Sequence, residues 1–172
     1  MNGIQYAERL DILEIERIMA LGQATTENVD WYVADDRAFI ERHISEEGYI
    51  LKYMQEEQIA GFLLVRHPKL AEDNLGRYLP EWTDEMLHQV AHMESAAVLP
   101  EYRGQKIQKK LLQRAEELER VKGMAYLMAT VHPENVYSSG NLEALGYECL
   151  LETEKYGGLR RRILCKKLFE WK

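Results

Sequence analysis

Apolar and polar positions alternate along this chain with two periods, and the switches between them divide it into elements. Residues 4–9 open as a short strand. Asp11 caps a helix, with Glu14 at the capping-box position, and Ile12, Ile15, Ile18 and Met19 form its apolar face before Gly22 ends it. A polar stretch from Gln23 to Asp30 leads to Trp31 and Tyr32. Asp35 or Asp36 then caps a second helix carrying Phe39, Ile40 and Ile44. Two strands follow, Tyr49–Gln55 and Gln58–Arg66, joined at Glu56-Glu57 as a tight hairpin. Residues 67–88 break the rhythm with Pro68, Gly76 and Pro80. This stretch reads equally as a functional loop or as a surface insertion. Val90–Leu99 is the central strand, and a helix from Gly104 to Lys122 stops at Gly123, a C′ glycine. Met124–Val131 is nearly all apolar, as in a strand buried on both faces. His132-Pro133-Glu134-Asn135 turns into a short helix stopping near Gly146. Tyr147–Thr153 and Leu159–Leu168 are the last strands, hinged on Gly157-Gly158. The order β-α-α-β-β-β-α-β-α-β-β predicts a mixed α/β (α+β) fold. Its central sheet of six to seven strands is partly antiparallel and is flanked by about four helices. The parallel pair flanks the 104–122 helix as a right-handed crossover.

A chain of 172 residues makes one domain, 1–172, the default, with 67–88 inserted between two strands. A net charge of −7 argues against a nucleic-acid partner, which makes the cations at 103–110 a local exception. No apolar run reaches the ~20 residues of a membrane span. Glu8, Arg9 and Asp11 interrupt any signal-peptide core, so the expected compartment is the cytoplasm. Cys149 and Cys165 lie in strand-like apolar settings and are expected as buried thiols, with a disulfide between neighbouring strands as the alternative. Neither has the spacing of a metal ligand, and no metal is expected.

The cations change the picture. Val98 and Leu99 are stopped by Pro100, Arg103-Gly104 turns the chain, and Ile107, Leu111, Ala115 and Leu118 repeat with helical spacing. Arg103, Lys106, Lys109 and Lys110 crowd the helix start while Glu116, Glu117 and Glu119 occupy its second half. That order opposes the helix dipole and costs a few tenths of a kcal/mol per charge. A polyanion at the N-terminus reverses the sign, since the first amides of a helix lack internal partners. A nucleotide-like pyrophosphate is the favoured anion. Neither the Walker pattern nor the dinucleotide fingerprint is present, because Gly104 stands alone.

Val98-Leu99-Pro100-Glu101-Tyr102-Arg103-Gly104 resembles the acyl-CoA-binding motif of the GCN5-related N-acetyltransferases (GNAT). His132-Pro133-Glu134-Asn135, with Gly146-Tyr147 further on, is similar to the family's Asn-x-x-Ala-x-x-Leu-Tyr-x-x-x-Gly-Phe. The resemblance implies that the backbone of Ala96, Ala97 and Val98 pairs with the pantetheine arm of acetyl-CoA like an added strand. It implies that Arg103 and the amides of Gly104, Gln105, Lys106, Ile107, Gln108 and Lys109 hold the pyrophosphate. Asn135 would contact the pantetheine side near the thioester, and Glu94 would act on the acceptor amine, directly or through water.

This sequence departs from the family's pattern in two places. Positions usually Gly and Gly or Ala are Lys106 and Gln108, and Leu142 stands where a tyrosine commonly protonates the departing thiolate. Tyr137 is the substitute general acid the chain offers, with helix packing as its other reading. Burial of Glu94 on its strand is expected to raise its pKa, which suits a base. His43, His88, His92 and His132 have no partner identifiable from spacing, and His67 is expected on a loop surface. The resulting expectation is an acetyl-CoA-dependent N-acetyltransferase acting on a small-molecule primary amine in a ternary complex, a homodimer being compatible with it. The alternative is a non-catalytic acyl-CoA sensor or interaction domain. Glu72, Asp73, Glu81, Asp84 and Glu85, set among Tyr78 and Trp82, point to acceptors with a second positive charge.

Overall fold

The computed structural model describes residues 2–169. Seven strands form one mixed sheet in the order β1-β2-β3-β4-β5-β7-β6. They are β1 Gly3–Tyr6, β2 Gly48–Gln55, β3 Gln58–Arg66, β4 Val90–Val98, β5 Tyr126–Val131, β6 Glu148–Lys155 and β7 Leu159–Lys167. Four helices of seven residues or more accompany them, α1 Ile12–Thr25, α2 Arg37–His43, α4 Ile107–Lys122 and α5 Val136–Ala144, with a single turn, α3 Asp84–Leu87. The chain divides into two compact units, 1–66 with 94–115 and 67–93 with 116–172.

The first unit is built on the β2–β3 hairpin, with β1 antiparallel to β2. Glu56 and Glu57 turn the hairpin at φ 52° and 66°. Both central residues of such a turn must be left-handed for its twist to match the strands. Ile15, Ile18 and Met19 of α1, Ile40 of α2, and Ile50, Phe62 and Leu64 of the strands are fully buried. The start of α1 differs from expectation. Glu8 and Asp11 form the capping box one turn earlier, around a 3-10 turn at Arg9–Asp11. Asp11 Oδ2 accepts from Glu8 N (2.7 Å) and Lys52 Nζ (2.8 Å), and Glu14 instead pairs with Arg17. Nor does Gly22 end the helix, which runs to Thr25. A Cβ at Gly22 would lie 3.3 Å from Ala97 Cβ and 3.7 Å from Tyr32 Cε1. The glycine lets the helix pass close to its neighbours rather than stop.

The second unit pairs Val90–His92 of β4 parallel with Tyr126–Met128 of β5, and β5 and β6 both run antiparallel to β7. Residues 67–88 are built rather than loose. Buried Asn74 donates to the Lys69 (2.7 Å) and Leu87 (3.1 Å) carbonyls, and its Oδ1 accepts from Gly76 N at 2.9 Å. Leu75, with Leu79, Trp82 and Met86, packs on Val90, Tyr126, Met128, Ile163 and Cys165. Apolar residues hidden among charges explain why no period was legible there. His67 is held as well: its Nε2 lies 2.8 Å from Oε2 of the fully buried Glu119. Cys149 is exposed, contrary to expectation, because β6 turns most of its residues outward. Cys165 is buried, its thiol pushed up to about 12 by desolvation, and both cysteines are free.

Candidate functional site

In the first unit, β4 runs through Glu94, Ser95 and Ala96–Val98 into a 3-10 turn at Pro100–Tyr102. Leu99 N donates to Ala60 O of β3 at 2.8 Å, so the strand stays anchored as it leaves the sheet. A Cβ at Gly61 would stand 2.9 Å from the Ala97 carbonyl oxygen. The chain then passes Gly104 at φ +85° and Lys106 at φ +62° and enters α4. Lys110 N donates to Lys106 O at 3.0 Å. The amides of Ile107, Gln108 and Lys109 precede that bond and have no intrahelical acceptor. Gln105 and Lys106 are exposed, Lys109 is half-buried, and Lys110 Nζ lies 5.5 Å from the Tyr53 ring centroid. A helix start whose first amides have no acceptor within the helix, beside the ammonium groups of Lys106 and Lys109, fits a pyrophosphate.

Arg103 braces this loop. Its guanidinium donates to the Val98 carbonyl (3.3 Å) and to Thr25 Oγ1 at the end of α1 (2.7 Å). Gln105 Oε1 accepts from Gln55 Nε2 at 3.1 Å, and the Tyr102 hydroxyl accepts from Gln58 Nε2. The loop is thus presented by the hairpin beneath it and by α1 beside it.

A polar cluster that sequence reasoning missed surrounds Glu94. The hydroxyl of half-buried Tyr32 lies 2.9 Å from Ser95 Oγ, tying Tyr32 to β4. Burial pushes the Tyr32 phenol above its ordinary range. Asp36, not Asp35, caps α2, its Oδ1 accepting from Phe39 N at 2.8 Å. Asp35 is left half-buried, with its carboxyl pushed up to about 7, chiefly by desolvation and then by the charges of Glu94 and Asp36. Arg66, at the end of β3, pulls it back only in part. His43 is fully buried and its Nδ1–H donates to Phe39 O (2.7 Å). Desolvation lowers its pKa, leaving the ring neutral. The only trace of this cluster in the sequence is the Asp35-Asp36 doublet, where one residue caps and the other is free for a second role.

The remaining expected residues lie in the second unit at the start of α5. Asn135 is its N-cap, with Oδ1 accepting from Ser138 N at 3.2 Å. Tyr137 is 68% exposed, while Leu142 is buried in the helix. Two further histidines are engaged in their own unit: His92 Nε2 accepts from Leu75 N (3.0 Å) and His132 Nδ1 from Glu134 N (3.1 Å), while His88 is exposed. Among the described residues no group of three or more His, Cys, Asp or Glu could hold a metal ion. None of the described helices is long and apolar enough to cross a membrane.

The acetyltransferase (GNAT) family matches the chain over residues 13–147. The chain belongs to the GNAT family. Solved acetyltransferases share its fold. The ribosomal-protein-S18-alanine N-acetyltransferase of Escherichia coli superposes with a TM-score of 0.75 at 17% identity, over 100% of this chain and 97% of that one. The putative acetyltransferase yncA of Salmonella typhimurium, solved with acetyl-CoA, gives 0.74 at 17% identity, over 100% and 96%. An N-acetyltransferase from Staphylococcus aureus Mu50 gives 0.73 at 19%, over 98% and 99%. A comparison of the sequence with curated proteins returns no match.

The backbone of this GNAT loop takes at position 106 a conformation that suits glycine better than lysine. Lys106 adopts φ +62°, a conformation that costs a side-chain-bearing residue about 1–2 kcal/mol. Lys106→Gly relieves that strain but adds ~0.4–1 kcal/mol of unfolded-chain entropy, so stability is expected to stay level or rise slightly. Calorimetry is expected to show acetyl-CoA affinity within about threefold of the parent. A tenfold loss, about 1.4 kcal/mol, would make the lysine charge rather than the amides the main phosphate ligand.

Proposed function

We propose that this protein is an acetyl-CoA-dependent N-acetyltransferase that acetylates a primary amine of a small molecule by direct attack in a ternary complex. The carrying observation is the passage from β4 through a left-handed loop into an open, cation-lined helix start, in a chain of this family. The amides of 107–109 and the charges of Lys106 and Lys109 would receive the pyrophosphate, and the backbone of Ala96–Val98 the pantetheine. Arg103 acts by positioning, since its guanidinium holds Val98 and Thr25. Holding amine and thioester together can remove roughly 7–11 kcal/mol of the barrier. Glu94 is the strand carboxylate that acts on the acceptor amine.

Thermal unfolding with and without millimolar acetyl-CoA, in protein freed of copurified CoA, tests the binding step. At 100 times its dissociation constant the ligand adds ~2.7 kcal/mol, or roughly 5–10 °C for a chain of this size. An unchanged midpoint removes acetyl-CoA from the function. The sensor reading is favoured by buried Leu142, which has no hydroxyl for a departing thiolate. Thiol detection separates the two, because an enzyme releases CoA when amines are added and a sensor does not.

The acidic stretch at 67–88 contributes less to acceptor choice than its composition implies. Lys155 lies 5.6 Å over the Tyr78 ring, and the Trp82 ring stands 4.4 Å from Tyr126. Its aromatic residues are engaged within their own unit. Choice of a cationic acceptor falls instead to carboxylates beside β4.

A further inference from the structure

We infer that Asp35 is the group that takes the proton from the acceptor's ammonium, while Glu94 holds that ammonium in place. The inference rests on the acyl-transfer reading above and deepens it to a substrate class: amines that arrive protonated.

The placement carries the argument. Tyr32 is fixed on one side by the Ser95 hydroxyl at 2.9 Å and on the other by close approach to Gly22. Tyr32 therefore anchors its segment to β4 at Ser95, the residue between Glu94 and the Ala96–Val98 backbone proposed for pantetheine, and Asp35 follows three residues later. Capping of α2 falls to Asp36, whose bond to Phe39 N sets where the preceding residue stands. Among the described residues the Asp35 carboxyl accepts no hydrogen bond and joins no ion pair. A half-buried carboxyl with no donor is uncommon, because each desolvated acceptor costs free energy until a donor reaches it. An ammonium supplies three donors and a charge. Desolvation first, then the charges of Glu94 from β4 and Asp36 from its own segment, push the Asp35 carboxyl up to about 7 against the opposing pull of Arg66 from β3. That is where a base has most effect near neutral pH.

The step balances. The ammonium R–NH3+ gives one proton to the Asp35 carboxylate. The freed lone pair forms a bond to the thioester carbonyl carbon while the carbon–sulfur bond breaks and its electron pair leaves with sulfur. A second nitrogen proton passes to the thiolate. The products are the amide, the CoA thiol and protonated Asp35, which returns its proton to solvent.

The test compares ethylamine and glycinamide, both protonated at neutral pH, with hydroxylamine, which is largely neutral and needs no base. CoA release above the uncatalysed rate is followed from pH 5.5 to 9 in the parent, Asp35→Asn and Asp35→Glu. For Asp35→Asn, kcat/KM with the two amines is expected to fall ~10²-fold or more, with loss of the acidic limb near pH 7. Hydroxylamine turnover stays within about threefold, and Asp35→Glu restores part of the amine rate. Stability supplies the second readout. Between the ordinary aspartate pKa of about 3.9 and about 7, the folded state binds a proton that the unfolded state does not. Stability therefore falls as pH rises through that window. Asp35→Asn removes the buried charge and is expected to raise Tm at pH 8, whereas loss of a merely structural residue lowers it. Equal losses with all three nucleophiles, or an unchanged pH profile, overturn the assignment. A parent that binds acetyl-CoA but accelerates none of the three overturns it too and leaves the sensor reading. A parent that does not bind acetyl-CoA overturns both.

Discussion

Glu94→Gln is expected to lower turnover of acetyl-CoA with a primary amine by ~10²-fold or more, while KM for acetyl-CoA moves less than about threefold. Glu94 lies on β4, two residues before Ala96, on the strand that leads into the loop proposed for the cofactor. The exchange keeps the shape and removes only the charge. A second consequence separates the two carboxylates. The Glu94 charge is one of the causes that hold Asp35 at about 7, second to desolvation. Removing it lowers the Asp35 pKa toward its ordinary value, so the acidic limb of the pH–rate profile should move to lower pH. If Glu94 is itself the only base, that limb disappears instead. Turnover unchanged across pH 6–9 takes Glu94 out of the mechanism.

What was legible in the sequence was what repeats. The apolar run of Met124–Val131 and the helical spacing of Ile107, Leu111 and Ala115 located β5 and α4 to within a few residues. Pro100 and Arg103-Gly104 marked the turn between β4 and α4 and, with it, the loop proposed to bind phosphate. Single residues carrying two meanings were the harder part. Gly22 reads as a stop signal, yet it is a close-approach residue inside α1, and only the neighbours Ala97 and Tyr32 reveal that. Leu75, Trp82 and Met86 bury one face of a segment whose charged residues are exposed. No fixed period connects them, because Leu75 and Met86 sit on two separate short turns with Trp82 between them. Asp35 was invisible for a different reason. Its role depends on Glu94 and Arg66, brought to it from β4 and β3 by pairing that local sequence cannot show.

Gly61→Ala is expected to be the most damaging small substitution near the loop. β3 passes so close to β4 that an added Cβ would stand 2.9 Å from the Ala97 carbonyl oxygen, 3.1 Å from Val98 Cγ2 and 3.2 Å from Ile107 Cγ2. The first of these atoms is backbone and cannot swing away. Either β3 or the 96–98 segment must move, at a cost of about 1–3 kcal/mol for overpacking. Tm is then expected to drop by roughly 2–10 °C. The same shift displaces the backbone proposed to receive pantetheine and the first residue of α4. Acetyl-CoA affinity should therefore fall tenfold or more at temperatures where the variant is still folded. Gly140→Ala is the internal comparison. It lies mid-way along α5 with nothing within 4 Å of an added Cβ and no left-handed φ. There alanine is expected to stabilise by roughly 0.5–1 kcal/mol and leave affinity alone. Differential scanning calorimetry with and without acetyl-CoA reads both quantities on the same samples. Equal midpoints for Gly61→Ala and the parent would show that β3 and β4 can part without cost, and the close approach would then have no part in shaping the loop.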